Sequence, residues 1–158
     1  MENRPVRKRL KYSVIYYFVR FLIFASNILP RKVWLAFCGG LGRLAYYFTT
    51  VTRERSIEHL GLAYSNEKSL REIVQLSKEM FVMLGRNAGD ILRARAVKTL
   101  ADLDKFIVVH DYENFEQANA KGKGVIFLTC HLGAFDLQIT VMSLRGLKPN
   151  IIGTPLKD

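Results

Sequence analysis

The apolar positions change rhythm along the chain, and each rhythm predicts a different kind of element. Two long runs come first, Tyr12 to Leu29 broken by Arg20 and Val33 to Val51 broken by Arg43, with Pro30, Arg31 and Lys32 between them. Each run has about the length of a membrane span. An arginine near the middle of a span costs about 2.5–3.5 kcal/mol even on the lenient insertion scale. Shallow helices in the interface would let both arginines reach the headgroups. A helical hairpin turning at Pro30, or two helices lying in the interface, keeps both ends of the segment on one side of the membrane. Two ordinary core helices are a competing reading. A cleaved signal peptide, with Phe24-Ala25-Ser26 as a poor cleavage site, is another. Gly39, Gly40 and Gly42 let the second helix approach a neighbour closely.

Residues 53–64 suit a short polar helix, and Ser65-Asn66 is a break. Ser69 and Glu72 form the signature of a capping box at a helix start. Leu70, Ile73, Met80, Phe81, Leu84, Ala88, Ile91 and Leu92 then recur at helical spacing, which predicts a helix running to about Ala96. From Lys105 the period shortens. Phe106–Val109, Val125–Cys130 and Asn150–Gly153 read as strands, separated by helices over Tyr112–Ala120 and Phe135–Leu144. The turn at Gly122–Gly124 ends the first of these helices, and Gly146 lies near the end of the second. Strand–helix–strand–helix–strand with short links predicts parallel pairing with right-handed crossovers.

Length and charge sharpen this picture. At 158 residues the chain is about one domain. It divides by composition into a basic N-terminus with membrane-associated helices over 1–52 and an α/β part over 53–158. The surplus of 24 Lys+Arg over 14 Asp+Glu, a formal charge of +10, calls for an anionic partner. Arg4, Arg7, Lys8, Arg9 and Lys11 precede the first apolar run and read as a membrane tether. They lack the aromatic interleaving of a nucleic-acid surface. Cys38 and Cys130 form neither a metal-type spacing nor a disulfide framework, so a reduced cytoplasmic setting is the simplest reading.

The candidate chemistry lies in Gly122-Lys-Gly-Val-Ile-Phe-Leu-Thr-Cys-His-Leu-Gly-Ala-Phe-Asp136, which reads as a turn, a buried strand and a histidine with an acid five positions on. In parallel sheets, ligands bind beyond the carboxyl ends of the strands, and His131 is placed at such an end. Within one helix, residues five apart diverge by about 140°. His131 must therefore precede a helix whose first turn holds Asp136. Gly133 gives the link freedom to fold back. Asp136 could then fix the imidazole tautomer and leave the other nitrogen as a general base. A structural His–Asp pair uses the same spacing. Cys130, facing the other side of its strand, is expected in the core. His59 and His110 read as structural or surface residues. Gly39-Gly40-Leu41-Gly42 lacks the context of a phosphate loop and is assigned to packing.

These residues resemble the active-site segment of the bacterial lipid A biosynthesis acyltransferases, the lauroyl/myristoyl type within the lysophospholipid acyltransferase superfamily. The similarity extends to Arg53–Tyr64, Ser69–Asp90, the two N-terminal runs and Ile152-Gly-Thr-Pro-Leu-Lys157. It covers nearly the whole chain but about the first half of the family's usual length. The resemblance implies N-terminal membrane-associated helices followed by a helix-flanked, largely parallel sheet of the glycerolipid acyltransferase type, incomplete at the C-terminus. It implies transfer of a fatty acyl group from acyl carrier protein to a hydroxyl of a lipid A precursor, at the cytoplasmic face of the bacterial inner membrane. No metal or organic cofactor and no nucleic acid is implied. By the same resemblance His131 is the general base, Asp136 supports it, and Gly133, Thr154 and Lys157 bind substrate. Asp136 stands where this branch usually has Glu, Ala134-Phe135 where it has Asn-Trp, and Thr154 where many members have Arg. The Asp is commoner in glycerol-phosphate branches, so glycerol phosphate or another glycolipid is the alternative acceptor. A truncated, non-catalytic membrane-associated fragment is the non-enzymatic alternative.

Overall fold

A computed structural model describes residues 6–64, 66–105 and 107–152. Two compact units divide between Arg95 and Ala96. Seven helices, and no strand, occur among the described residues. The expected parallel sheet is therefore not formed among them. Residues 107–110, 124–130 and 147–152 carry no ladder hydrogen bonds, and Phe106 and Gly153 lie outside the described residues. The physical reason is visible in the side chains. A sheet needs a covered apolar face and several strands to be stable, whereas Ile126 and Leu128 remain 90% and 98% exposed. Apolar β-branched runs give a strand propensity, but among the described residues Ile126 and Leu128 find no cover that would make pairing worthwhile.

In the first unit, α1 (Val6–Ile28) leads through Leu29 and Pro30 to α2 (Arg31–Phe48). Pro30 is the N-cap, with φ −54° and ψ 139°, a position suited to a residue with fixed φ and no donor. Thr49 ends α2, its N–H donating to the Ala45 carbonyl at 2.9 Å, and α3 (Thr50–Tyr64) starts at once. The polar helix thus begins three residues before the pattern suggests. Ser65, the first residue of the expected break, lies outside the described residues. The long helix α4 (Leu70–Ala94) opens with the anticipated capping box: the Ser69 N–H donates to Glu72 Oε2 at 2.8 Å, and the Glu72 N–H donates to Ser69 Oγ at 3.4 Å. The Ser69 hydroxyl, donating to Glu72 Oε2 at 2.7 Å, and then the Ser69 N–H hold the Glu72 carboxyl below its ordinary pKa.

The core of this unit is the α2–α4 seam. Trp34, Cys38, Tyr46, Ile73 and Phe81 are buried, and Tyr46 meets Phe81 edge-on with centroids 5.4 Å apart. Small residues set the close approach. A Cβ on Gly42 would strike the Phe81 carbonyl, one on Gly85 the Cys38 carbonyl, and one on Gly89 the Cys38 sulfur. Gly40 faces open space, with nothing within 4 Å of such a Cβ. Burial pushes the Cys38 thiol pKa up, which suits an inert packing residue. The seam's polar contacts are satisfied. Trp34 Nε1 donates to the Gly89 carbonyl at 2.9 Å, and the buried Ser56 and Ser77 hydroxyls bond to each other. Arg31 grips Asp90 through both carboxylate oxygens, at 3.0 and 2.7 Å, and that bond raises the arginine's pKa. α1 is held near its C-terminal end, where Arg93 donates to the carbonyls of Ser26 and Leu29. Ser26 is its one buried residue among those whose side chains are described.

The second unit contains three short helices, α5 (Leu100–Leu103), α6 (Tyr112–Asn119) and α7 (Leu137–Leu144). The pattern of apolar positions does not announce α5. It opens with a second capping box, in which Asp102 Oδ2 accepts from the Thr99 N–H at 3.2 Å and the Asp102 N–H donates to Thr99 Oγ1 at 3.2 Å. Leu103 is buried, and α5 packs on α7. α7 closes with a Schellman motif. The Gly146 N–H donates to the Ser143 carbonyl and the Leu147 N–H to the Met142 carbonyl, both at 3.0 Å. Gly146 supplies the left-handed backbone this requires, at φ 76°.

Candidate functional site

His131 lies in the link before α7, and Asp136 is the N-cap residue of that helix. The link turns sharply. The Leu132 N–H donates back to the Cys130 carbonyl at 2.8 Å, and Gly133 takes φ 62°, a conformation costly for a residue with a Cβ. The first turn of α7 is tight. Leu137, Gln138 and Ile139 donate to the carbonyls of Ala134, Phe135 and Asp136, three residues back.

Both candidate side chains are exposed. The Asp136 carboxylate makes no capping bond to the helix. The His131 ring stacks on Phe135, with centroids 4.3 Å apart and planes 9° apart. No hydrogen bond or ion pair joins His131 to Asp136 among the described residues. Gly133 lies between them in the chain, at the reversal. Thr154 and Lys157 lie outside the described residues. Cys130, expected in the core, is exposed, because the strand that would have buried it is not formed.

The same link forms part of the wall of an open cavity of about 570 Å³. Leu132, Ala134, Phe135 and Leu137 contribute from the link and the start of α7, Val141 and Met142 from farther along α7, and Tyr112 and Phe115 from α6. The surface is mainly apolar. A cation closes one part of it: the Arg145 guanidinium lies over the Tyr112 ring, 3.9 Å from its centroid. The Arg145 Nε is buried without a hydrogen-bond partner among the described residues. His110 also lines this cavity, and His59 lines a smaller one in the first unit with Arg55 and Thr52.

Sequence reasoning did not find the His131–Phe135 stack or the Arg145–Tyr112 pair. The first had a signal in the four-residue spacing of two rings. The second had none, since Tyr112 opens α6 and Arg145 caps α7, far apart in the chain. No group of three or more His, Cys, Asp or Glu residues able to hold a metal occurs among the described residues.

In the comparison with known proteins a family model matches. The family model described as bacterial lipid A biosynthesis acyltransferase covers residues 2–156. Neither the curated proteins nor the solved structures give a match.

Proposed function

The chain belongs to the bacterial lipid A biosynthesis acyltransferase family, and from that premise we propose that it transfers a fatty acyl group from acyl carrier protein to a hydroxyl of a lipid A precursor. His131 acts as general base and Asp136 supports it. The observation that carries this reading is the family match across residues 2–156. A histidine stacked on Phe135 and a carboxylate without a capping bond, flanking a glycine reversal beside an apolar cavity, are in keeping with it.

In this mechanism the imidazole leaves the Phe135 face, pairs with Asp136 through one nitrogen and takes the acceptor hydroxyl proton on the other. Hydrogen bonds of this kind often tighten only when substrate is bound. The acceptor oxygen attacks the thioester carbonyl, a C–O bond forms and the C–S bond breaks. The imidazolium returns its proton to the departing thiolate. No acyl-enzyme is needed. Gly133, Thr154 and Lys157 bind substrate, and the positive chain attracts both an acidic carrier and a phosphorylated glycolipid.

We place the enzyme at the cytoplasmic face of the inner membrane. No helix among the described residues is long and apolar enough to cross a membrane. In α1, Leu10, Val14, Tyr17, Phe18, Phe21 and Phe24 are exposed, and Lys8, Lys11 and Arg20 share that helix. Such a surface suits a helix lying in the headgroup region.

The test is His131→Ala in the full chain, assayed with acyl carrier protein thioester and lipid A precursor. Transfer should be abolished and membrane association retained. Undiminished transfer by the variant would discard the proposed base. Offering glycerol phosphate and other glycolipids beside the lipid A precursor tests the acceptor, because preference for one of them would move the chain's substrate away from lipid A.

A further inference from the structure

We propose that the cavity of the second unit binds the free anion of a single-chain amphiphile, with Arg145 holding its carboxylate and the apolar wall its alkyl chain. The cavity of about 570 Å³ falls in the range of small-ligand sites, about 300–1,000 Å³. Phe127, Leu132, Phe135, Val141 and Met142 give it an alkyl-compatible surface, and among the described residues no Asp or Glu lines it. The charge therefore has one sign. Arg145, which lines the cavity, is pressed on the Tyr112 ring at 3.9 Å.

Arg145 has no counter-ion among the described residues. The two ion pairs found there are Arg31–Asp90 and Lys105–Asp102. Its Nε is a buried donor without an acceptor, so nothing within the described residues offsets the charge. A carboxylate answers it with a charge-assisted bond, and the planar fork of arginine matches two carboxylate oxygens. An alcohol or ester of the same chain length fills the apolar space but leaves the cation uncompensated. The charge thus selects the free acid over its neutral derivatives.

Phe135 ties this cavity to the catalytic link, because the same ring carries His131 on its face. On the acyl-transfer reading, on which this one consequence rests, a free fatty acid occupies space next to the base and competes with the acyl donor. Binding itself requires no turnover.

The experiment is a binding titration of carboxyl-labelled decanoate to the full chain in phosphatidylcholine nanodiscs, with empty discs as background and decanol as the neutral probe. Decanoate should bind saturably above background and more tightly than decanol. Arg145→Met, which keeps an apolar side chain but removes the charge, should weaken decanoate by about 10- to 100-fold, as loss of a charged hydrogen bond does, and leave decanol unchanged. Arg145→Lys should recover part of the loss. Equal affinity for decanoate and decanol overturns the proposal, as does undiminished decanoate binding by a folded Arg145→Met. Should that variant fail to fold, the decanoate-to-decanol ratio of the unaltered chain decides alone. His131→Ala should bind decanoate normally, so failure of the catalytic reading and failure of this one give different results.

Discussion

The two units solve the problem of backbone hydrogen bonding differently. In the first, four helices satisfy their N–H and C=O groups within themselves, so a narrow seam of glycines, Trp34 and Phe81 suffices to hold them. In the second, most of the apolar residues sit in segments with no internal hydrogen-bond ladder, and Ile126, Leu128 and Ile152 stay in solvent. Helical bonds are closed between residues four apart, whereas strand bonds depend on a partner brought from elsewhere. The packed region carries stability, and the open region carries the candidate chemistry and the cavity.

That contrast can be broken by showing that changes in either region affect both properties. The largest effect is expected for His131→Ala, a loss of about 10²- to 10⁴-fold in acyl transfer. The thermal transition of the first unit, followed by helical circular dichroism, should not move. Next is Gly42→Ala, which drives a methyl into the Phe81 carbonyl. It should cost about 1–3 kcal/mol in denaturant unfolding, and an unchanged midpoint would mean that the seam is looser than described. Ser69→Ala, which removes the α4 cap, should cost about 1 kcal/mol in the same measurement. Gly40→Ala sharpens the comparison by reversing the sign. The added methyl meets nothing within 4 Å, so helix propensity alone should stabilise the unit by about 0.5–1 kcal/mol.

The smallest effect concerns the second unit. Hydrogen bonds from Thr99, then Lys105, hold the Asp102 carboxyl down to about 2 from an ordinary 3.8. A depressed acid contributes stability above its unfolded value and loses it as pH falls. The α5 cap should therefore be intact above pH 3.8 and weaken progressively toward pH 2. Carboxyl-carbon NMR titration of Asp102, beside Thr99→Ala, checks this. A midpoint that is the same in both proteins would contradict the cap's role.

What could be read from the chain follows the same division. The Ser69–Glu72 box, the long helix after it and the use of Gly42 in packing were all visible, because each depends on neighbours a few residues away. Which backbone each glycine meets was not visible, since Gly42 opposite Phe81 and Gly85 opposite Cys38 are matters of register between helices. In the second unit, α6 and α7 were legible as helices closed by glycine turns. The runs at 125–130 and 150–153 misled because an apolar β-branched segment records a preference for strand, not the presence of a partner. Cys130 followed them out of the expected core. At the candidate site, the positions of His131, Gly133 and Asp136 along the chain could be read from spacing. The ring that His131 rests on and the charge at Arg145 belong to three-dimensional contacts that no single spacing encodes.

The clasp of Arg93 on the Ser26 and Leu29 carbonyls, at the end of α1, gives the first unit an unequal lever. A 23-residue rod held beside one end has its anchorage decided by protein and its heading decided by whatever meets the long arm. Any load on the exposed arm is borne by that clasp together with the packing of α1 on α4 and α2.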